Sequence, residues 1–254
     1  MRADLLLVQR GLAASRTRAR SMIVEGAVTA IDPAGQAIVL KPATDLSPQV
    51  VFEVDPDKVC PFVSRGGVKL AGALDSSALD PRGMVCLDAG QSTGGFTDCL
   101  LARGATRVIG IDVGHDQLDP MLRTNRRVTA IEGRNLRDLD RPTLAALLGG
   151  TCPDFDLIVA DLSFISLRLV LPALTALAAS DTRMLALIKP QFEAGRAALD
   201  RHGVVRAESD HRRVRAEIQR AAQAAGWRFL GWHDSPITGG DGNREFFLDL
   251  RRAD

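Results

Sequence analysis

Residues 85–97 read Val-Cys-Leu-Asp-Ala-Gly-Gln-Ser-Thr-Gly-Gly-Phe-Thr. A short apolar run ends in an acid, passes through glycines and opens a second apolar segment, which predicts a strand, a tight turn and a helix. Glycines allow a positive φ and a close approach to a ligand, and the first N–H groups of the helix are free to bind it. This stretch therefore predicts the binding turn for a nucleotide-like cofactor.

The spacing of the glycines narrows the kind of cofactor. From Asp88 the stretch reads Asp-x-Gly-x-x-x-Gly-Gly, whereas a dinucleotide pyrophosphate is typically held by Gly-x-Gly-x-x-Gly. An acid beside the turn suits a cation, and S-adenosylmethionine (AdoMet) carries a sulfonium and an ammonium group. A second strand-like run, 107–112, ends in Asp112, where a doubly wound fold places the carboxylate that binds a ribose. The simpler interpretation is that Asp112 only ends a strand.

The composition is that of an ordinary globular protein. The chain has 254 residues, of which 46% are apolar and 25% charged, enough for one large domain and a small module. The sequence lacks both a signal pattern and the roughly 20 consecutive apolar residues of a membrane span, so we expect a cytoplasmic protein that does not enter a membrane. Four cysteines without Cys-x-x-Cys pairing or zinc-like histidine spacing predict reduced thiols and no metal site.

Positive charge is concentrated near the N-terminus, although the net charge of the whole chain is only +1. Residues 4–10 and 16–25 predict two short helices, each ended by a glycine, with Ser15 as the N-cap of the second. Strand-like pieces follow at 27–31, 37–40 and 50–54. The first 20 residues hold five arginines and one acid. These arginines are able to neutralise phosphates, although a solvated helix surface explains them equally well.

This N-terminal region resembles the S-four RNA-binding module, first known from a ribosomal protein. The matching residues from Arg2 read Arg-x-Asp-x-Leu-Leu-Val-x-Arg-Gly-Leu-Ala-x-Ser-Arg, followed by Ala-Arg-Ser-Met-Ile from Ala19. The resemblance implies a small α+β domain. In it, two helices present basic side chains to structured RNA, and a small sheet packs behind the helices. We predict an S-four-like domain at 1–59, a linker at 60–63 and a second domain at 64–254. The predicted RNA-binding residues are arginines: Arg2, Arg10, Arg16, Arg18, Arg20 and Arg65.

From residue 84 onward strand-like and helix-like runs alternate, which is typical of an α/β fold with an open parallel sheet. The strands are expected near 84–88, 106–112, 128–131, 156–161, 183–189, 227–233 and 244–250. The last two lie close together and predict an antiparallel hairpin. This order resembles the Rossmann-like, seven-stranded sheet of AdoMet-dependent methyltransferases. That resemblance implies a seventh strand inserted antiparallel beside the fifth.

Charged residues follow several of these strands at one edge of the expected sheet, where open α/β sheets bind ligands. Asp161 and Lys189 end two strands, Glu245 begins the last one, and Lys69 lies near the start of an earlier helix. Each residue alone is most simply a solvated strand end or a surface lysine. Together they suit methyl transfer to a ribose oxygen, because carboxylates can orient a lysine that polarises a hydroxyl or accepts its proton.

Six sequence blocks resemble the TlyA family, also labelled hemolysin A, which joins an FtsJ-like ribose 2′-O-methyltransferase core to an S-four module. The blocks are Ser-Arg-Gly-Gly-x-Lys-Leu at 64–70, Asp-x-Gly-x-Ser-Thr-Gly-Gly-Phe-Thr-Asp at 88–98, Gly-x-Asp-Val-Gly at 110–114, Asp-Leu-Ser-Phe-Ile-Ser-Leu at 161–167, Ile-Lys-Pro-Gln-Phe-Glu at 188–193 and Gly-Asn-x-Glu-Phe at 242–246. With the N-terminal match, the resemblance extends over nearly the whole chain, in the family's order.

The resemblance to the TlyA family implies specific roles. It implies a catalytic tetrad of Lys69, Asp161, Lys189 and Glu245. It implies ribosomal RNA or ribosomal subunits as the partner, with a cytidine ribose as the acceptor. The cofactor AdoMet would be bound by six residues: Asp88, Gly90, Ser92, Gly94, Asp112 and Asn135. Gln91, where the family usually has alanine, is expected near the methionine end of the cofactor.

Three other functions remain open from the sequence. A dinucleotide-dependent oxidoreductase is disfavoured by the glycine spacing and has no role for the lysines. An RNA-binding or ribosome-assembly protein with an inactive methyltransferase fold is disfavoured by the intact lysines and acids. A pore-forming toxin, suggested by the hemolysin label, is disfavoured because no amphipathic segment of membrane length is found. The sequence does not determine the oligomeric state.

Overall fold

The computed structural model describes residues 1–253, which form two compact units, Met1–Arg65 and a second unit that begins at Gly66. The division therefore falls after the predicted linker at 60–63. The reason is Arg18, whose guanidinium donates hydrogen bonds to the carbonyl oxygens of Cys60 and Phe62. These bonds hold the linker segment against the first unit. Within residues 1–253, no helix has both the length and the apolar character needed to cross a membrane.

The first unit contains two helices and a three-stranded antiparallel sheet. Its elements are α1 (Ala3–Gln9), α2 (Arg16–Val24), β1 (Val28–Ile31), β2 (Ala37–Ile38) and β3 (Val51–Val54), with the strands in the order β2-β1-β3. As predicted, Ser15 is the N-cap of α2, because its side chain accepts a hydrogen bond from the backbone N–H of Arg18 at 3.1 Å. Buried residues of both helices, including Leu6, Leu7 and Met22, join the sheet in one apolar core.

The second unit contains a seven-stranded sheet. Its strands are β4 (Val85–Ala89), β5 (Arg107–Ile111), β6 (Val128–Ile131), β7 (Leu157–Ala160), β8 (Arg183–Ile188), β9 (Trp227–Asp234) and β10 (Phe246–Arg252), in the spatial order β6-β5-β4-β7-β8-β10-β9. Strands β4 to β8 are parallel, and β10 is antiparallel to both β8 and β9. The predicted seven-stranded fold and its antiparallel seventh strand are therefore confirmed.

The order of the strands places a crevice at the centre of the sheet. Strand β4 lies between β5 and β7, so the chain leaves β4 in one direction and returns to its other side with β7. All four residues of β7 and four of five in β4 are buried, as expected for central parallel strands covered on both faces. Ligands of open α/β sheets bind where the strand order reverses in this way. The loops after β4, β5 and β7 meet at that point.

Helices connect most of these strands. They are α3 (Arg65–Ser76), α4 (Gly95–Ala102), α5 (Pro120–Arg123), α6 (Arg141–Leu147), α7 (Leu171–Leu177), α8 (Pro190–Glu193) and α9 (Glu208–Ala224). One face of α3 is apolar and packs inward, because Leu70, Ala73 and Leu74 are all buried. A large core cluster then joins buried residues of the sheet to those of α7 and α9. The core fixes the strand ends, so the loops after them carry the candidate site.

Candidate active site

The turn after β4 requires glycine at position 90. Gly90 has a φ of +88°, and a Cβ atom there would lie 2.5 Å from the carbonyl oxygen of Asp161. Any larger residue would push the turn away from the loop after β7. Ser92, two residues later, also has a positive φ, of +46°, which is uncommon for a residue other than glycine. The turn is therefore held in a special backbone conformation beside the centre of the sheet.

Asp112 fastens this turn to the loop after β5. Its Oδ2 accepts a hydrogen bond from the backbone N–H of Ser92 at 2.8 Å, and its Oδ1 accepts one from Gly114 at 2.7 Å. The hydroxyl of Ser92 in turn donates to Oε1 of Gln117 at 3.0 Å. Each carboxylate oxygen keeps a further lone pair for a ligand. Asp112 thus does more than end a strand, because it joins two loops of the site.

A cavity of about 460 Å³ opens at this edge of the sheet. Four of the six residues predicted to bind the cofactor line it: Gly90, Ser92, Asp112 and Asn135. The side chain of Asn135 also accepts a hydrogen bond from the backbone N–H of Arg137 at 3.1 Å, which caps a short 3₁₀ turn. Asp161 lines the cavity from the other side. The volume lies within the range of about 300–1,000 Å³ that small-molecule sites span.

The other two predicted cofactor residues lie outside the cavity lining. Asp88 is fully buried, and a Cβ atom on Gly94 would lie 2.4 Å from Cδ1 of Leu122. The glycine at 94 is therefore explained by packing against α5 and by its φ of +93° at the start of α4. The sequence could not separate these roles, because a glycine needed for packing and one needed for a ligand look alike.

Asp88 has an unusual environment. Its Oδ2 accepts a hydrogen bond from the hydroxyl of Thr97 at 2.7 Å, whereas its Oδ1 has no hydrogen-bond partner among residues 1–253. The pKa of Asp88 is raised to about 7, chiefly by burial and also by the nearby charges of Asp161 and Asp112, while hydrogen bonds from Thr97 oppose the rise. A buried carboxyl in this state would be stabilised in its charged form by a cation bound at the turn.

Gln91 points into the protein and does not line the cavity. Its amide donates to the hydroxyl of Thr97 at 2.9 Å, and it lies against Gly110, where an added Cβ atom would be 2.0 Å from the amide carbon. The side chain of Gln91 is therefore directed away from the cavity that the neighbouring Gly90 and Ser92 line. The larger side chain fits beneath the turn because Gly110 on β5 leaves space for it.

The four predicted catalytic residues form two ion pairs. Nζ of Lys189 lies 2.6 Å from Oδ1 of Asp161 and donates a hydrogen bond to the hydroxyl of Ser163 at 2.7 Å. Nζ of Lys69 donates to Oε2 of Glu245 at 2.5 Å. The second pair is the more buried one, with side chains 10% and 2% exposed, against 12% and 23% for Lys189 and Asp161. Both lysines are thus oriented by carboxylates.

The sheet register explains how the two pairs come together. Phe246 of β10 pairs with Ile188 of β8, so the residues one step further along these antiparallel strands are Glu245 and Lys189. Asp161 follows β7, which pairs with β8 on its other side. Glu245 also requires glycine at 239, since a Cβ atom there would lie 2.5 Å from its Oε1. The tetrad therefore depends on one antiparallel strand placed between β8 and β9.

Two residues of the loop after β7 contribute to the site without having been predicted from the sequence. Ser163 binds Lys189, and Phe164 lines the cavity with its side chain 90% exposed. Phe164 has a φ of +63°, a strained value for a large residue, and its ring centroid lies 5.1 Å from that of Phe192. Both residues belong to the block at 161–167, whose resemblance to the TlyA family could have pointed to them. The exposure of Phe164, however, depends on the tertiary structure.

The arginines of the first unit are largely bound within it. Asp4 is fully buried and accepts hydrogen bonds from Arg2 at 3.0 and 3.1 Å and from Arg16 at 2.9 Å. Arg10 donates to the carbonyl oxygens of Val50 and Pro48 at 2.5 and 2.6 Å. Arg18 holds the segment at 60–63, as described above. These bonds explain much of the clustered charge without RNA.

Arg20 differs from these four arginines. It is exposed on α2, and within residues 1–253 its side chain has no hydrogen bond and no ion pair. The sixth predicted RNA-binding residue, Arg65, is the first residue of α3 and is partly buried. In the same part of the chain, no cluster of three or more histidine, cysteine, aspartate or glutamate side chains is arranged to hold a metal ion.

Comparisons with known proteins agree with this geometry. Residues 62–252 match the FtsJ-like methyltransferase family. The chain belongs to this family. Its similarity to known proteins extends over the first unit as well. The chain is 45% identical over 252 residues to the 16S/23S rRNA (cytidine-2′-O)-methyltransferase TlyA of Mycobacterium tuberculosis. The aligned region covers 98% of this chain and 89% of that protein. Within the FtsJ-like family, the chain is therefore a member of the TlyA group.

Three further proteins are similar to this chain in sequence or in fold. It is 32% identical to hemolysin A of Brachyspira hyodysenteriae, over 97% of this chain and 98% of the relative. A solved structure from Streptococcus thermophilus superposes with a TM-score of 0.76 and 35% identity, covering all of this chain and 89% of that one. An AdoMet-dependent methyltransferase from Mesorhizobium loti, only 15% identical, shares the fold over 71% of this chain with a TM-score of 0.51.

Proposed function

We propose that this protein transfers a methyl group from AdoMet to the 2′-hydroxyl of a ribose in ribosomal RNA, with cytidine as the acceptor nucleotide. The observation that carries the proposal is the pair of lysine–carboxylate contacts at one edge of the sheet, where Asp161 of the Lys189 pair lines the cavity. It occurs in a chain 45% identical to a TlyA that is named for this reaction. The proposal covers the reaction, the cofactor and the class of RNA.

The residues around the cavity fit AdoMet. Gly90, Ser92 and Asp112 would hold its methionine and ribose ends, and Asn135 would lie near its adenine. Apolar side chains such as Ile165 line the rest of the cavity and suit a flat ring. Asp88, directly before the turn, has one buried oxygen without a partner, and a bound cation would stabilise its charge. AdoMet supplies a methyl group already activated by the sulfonium, so the protein has to align the acceptor.

Lys189 would act on the acceptor hydroxyl. As the new bond from the ribose oxygen to the methyl carbon forms and the bond from sulfur to that carbon breaks, the hydroxyl must lose its proton. Asp161 and Ser163 hold Nζ of Lys189 at the cavity edge, where it would orient the hydroxyl and receive or pass on that proton. Lys69, fixed by Glu245, would steady the same oxygen or the adjoining phosphate.

The amino-acid usage supports a specific need for lysine. Only four of the 32 lysine and arginine residues in the chain are lysines, and two of these four lie at this edge of the sheet. Arginine remains protonated in proteins, whereas lysine can give up a proton. A chain that uses arginine at almost every other basic position, but lysine here, fits a role in proton transfer.

Substrate RNA would reach both units. Arg20 on the first unit offers an unpaired guanidinium to a phosphate, which supports the prediction that this unit positions RNA. Phe164 offers an exposed ring at the cavity, and unstacked bases in RNA are commonly held on such rings. These two residues would act on binding, while the tetrad acts on the ribose.

The deciding experiment is transfer of labelled methyl from AdoMet to ribosomal subunits and to naked ribosomal RNA, followed by nucleoside analysis. We expect label on a ribose 2′-oxygen, loss of at least about a thousandfold in rate for Lys189→Ala, and little change for Lys58→Ala, a matched lysine exposed on the first unit. Wild-type protein that binds AdoMet but transfers no label to any ribosomal substrate would overturn the proposal and favour an RNA-binding protein with an inactive fold.

A further inference from the structure

A buried carboxylate lies at the end of α8, outside the four proposed catalytic residues. Glu193 is only 6% exposed. Its Oε2 accepts a hydrogen bond from the hydroxyl of Ser166 at 2.5 Å, and its Oε1 accepts one from the backbone N–H of Leu167 at 2.7 Å. Nε of Arg168 lies 3.7 Å from Oε2. Burial raises the pKa of Glu193, and these three donors oppose the rise.

Glu193 joins the two chain segments that carry Lys189 and Asp161, which form one of the ion pairs. Helix α8 begins at the residue after Lys189, and Glu193 is its last residue. Ser166 and Leu167 end the loop that starts at Asp161. The carboxylate therefore connects the loop after β7 to the helix after β8, a few residues beyond the contact between Lys189 and Asp161. Glu193 at one end of the connection and Leu167 at the other are both buried.

A second contact between the same two segments depends on this connection. The ring of Phe164 packs against that of Phe192, the neighbour of Glu193, although Phe164 is held at a positive φ. A strained backbone of this kind persists only where its surroundings fix it. Within the loop, the bonds from Ser166 and Leu167 to Glu193 are the nearest fixed points on the C-terminal side of Phe164.

Building on the proposed function, we propose that Glu193 is a positioning residue for methyl transfer. By joining the loop after β7 to α8, it fixes Asp161 and Ser163 against Lys189 and holds the ring of Phe164 at the cavity. Glu193 itself lies outside the cavity lining and does not touch the reacting atoms. Its effect is on the alignment of the acceptor, to which transfer rates are sensitive at the scale of about 1 Å.

The hydrogen bonds explain why a carboxylate is needed here. The hydroxyl of Ser166 already accepts hydrogen bonds from the backbone N–H and the Nε of Arg168, both at 3.2 Å. A hydroxyl has one proton and two lone pairs, so the remaining bond of Ser166 must be a donation. A carboxylate accepts this proton and the N–H of Leu167 together. Glutamine can accept only one of them, and its NH₂ group would face a hydroxyl whose lone pairs are already used.

The first test measures methyl transfer at saturating AdoMet and RNA. We expect Glu193→Gln and Ser166→Ala each to lower kcat by about tenfold or more, while the Kd for AdoMet, from calorimetry, stays within about twofold. The double variant should be no slower than the slower single variant, because both changes break one connection. Ser166→Thr, which keeps the hydroxyl, should retain most of the rate.

The matched control is Glu217→Gln. Glu217 on α9 pairs with the same Arg168 at 3.2 Å but does not contact Ser166 or Leu167, so this variant removes an equivalent charge and leaves the connection intact. We expect it to keep the wild-type rate. The proposal would be overturned by an unchanged kcat in Glu193→Gln, by equal losses in Glu193→Gln and Glu217→Gln, or by a fall in AdoMet affinity that parallels the fall in kcat.

A second measurement does not depend on activity. The chain has nine phenylalanines, so protein labelled with fluorophenylalanine gives few fluorine NMR signals, and Phe164→Leu identifies that of Phe164. Glu193→Gln should move the Phe164 signal from its wild-type position, because the ring would lose its fixed contact with Phe192, whereas Glu217→Gln should leave it in place. An unmoved signal contradicts the positioning role. If wild-type protein transfers no methyl group, the proposed function fails, and this spectrum still decides whether Glu193 positions the loop.

Discussion

Each unit of the protein buries an aspartate completely, and the two carboxyls behave in opposite ways. Asp4 in the first unit and Asp88 in the second are both 0% exposed. Hydrogen bonds from Arg2 and then Arg16 outweigh desolvation and hold the pKa of Asp4 at about 2. Desolvation of the deeper Asp88 outweighs the hydrogen bonds from Thr97 and raises its pKa to about 7. Two aspartates with equally little solvent exposure thus differ by several pKa units, because Asp4 is covered mainly by arginine side chains.

The difference separates a structural acid from a functional candidate. Asp4 has partners for both oxygens, so its charge favours the folded state of the first unit. Asp88 has an oxygen without a partner, so its charge opposes folding of the second unit. Buried groups left unsatisfied in this way are typical of sites that wait for a ligand. Burial alone therefore does not predict which role an acid has.

The largest expected effect is the pH dependence of stability that Asp88 causes in the second unit. The Asp88 carboxyl has a pKa of 3.8 when unfolded and about 7 when folded, so its contribution to stability is full below pH 4 and is lost as pH rises to about 7. Relative to Asp88→Asn, which cannot ionise, the wild type should lose up to about 4 kcal/mol of unfolding free energy across this range. Both tryptophans lie in the second unit, so fluorescence during urea unfolding follows the change.

The Asp88→Asn variant also tests the link to the cofactor. If a cation at the turn stabilises the charged carboxyl, the variant should bind AdoMet more weakly than the wild type at pH 8, while being the more stable protein. Calorimetric titration measures this affinity. A wild type whose stability stays parallel to that of Asp88→Asn from pH 4 to pH 8 would contradict the assignment of a high pKa, and the contrast with Asp4 would disappear.

A smaller effect of opposite sign is expected at Asp4. Asp4→Asn should lower the stability of the first unit by about 2 kcal/mol at pH 7, because charged hydrogen bonds to two arginines are lost. The pKa of Asp4 is lowered from 3.8 to about 2, so this contribution is present above pH 4 and is lost as pH falls toward 2. Hydrogen exchange of the α1 amides measures the change. Equal exchange in variant and wild type at pH 7 would show that the arginines do not stabilise Asp4.

The smallest expected effects distinguish two arginines on α2. Arg18→Ala should destabilise the first unit by about 1 kcal/mol, because Arg18 binds carbonyl oxygens of the segment at 60–63. Arg20→Ala should leave stability unchanged but weaken RNA binding and lower the salt slope of binding by about 1. Hydrogen exchange and RNA titrations over a range of salt concentrations measure the two quantities. An unchanged slope for Arg20→Ala would remove Arg20 from the RNA surface.

Much of the fold was predictable because its signals are local. The apolar runs of β4 and β7, the glycines around position 90 and the cap at Ser15 each act within a few residues, and the structure confirms them. Gln91 was not predictable in this way. Its side chain turns inward only because Gly110, on the neighbouring strand, leaves room for it. The roles of Ser163 and Phe164 were not predicted either, because the contact of Ser163 with Lys189 and the position of Phe164 at the cavity also depend on other strands and loops.

The sequence by itself indicated the seven-stranded fold, the glycine turn after β4 and the meeting of Asp161 with Lys189, because parallel strands bring their ends together at one edge of the sheet. Only the tertiary structure decided how these groups interact. Lys69 and Glu245, 176 residues apart, meet because β10 inserts beside β8. The pKa values of Asp4 and Asp88 diverge because arginine donors within about 3 Å dominate at Asp4, whereas desolvation dominates at Asp88. Those donors are placed by packing, which no local pattern specifies.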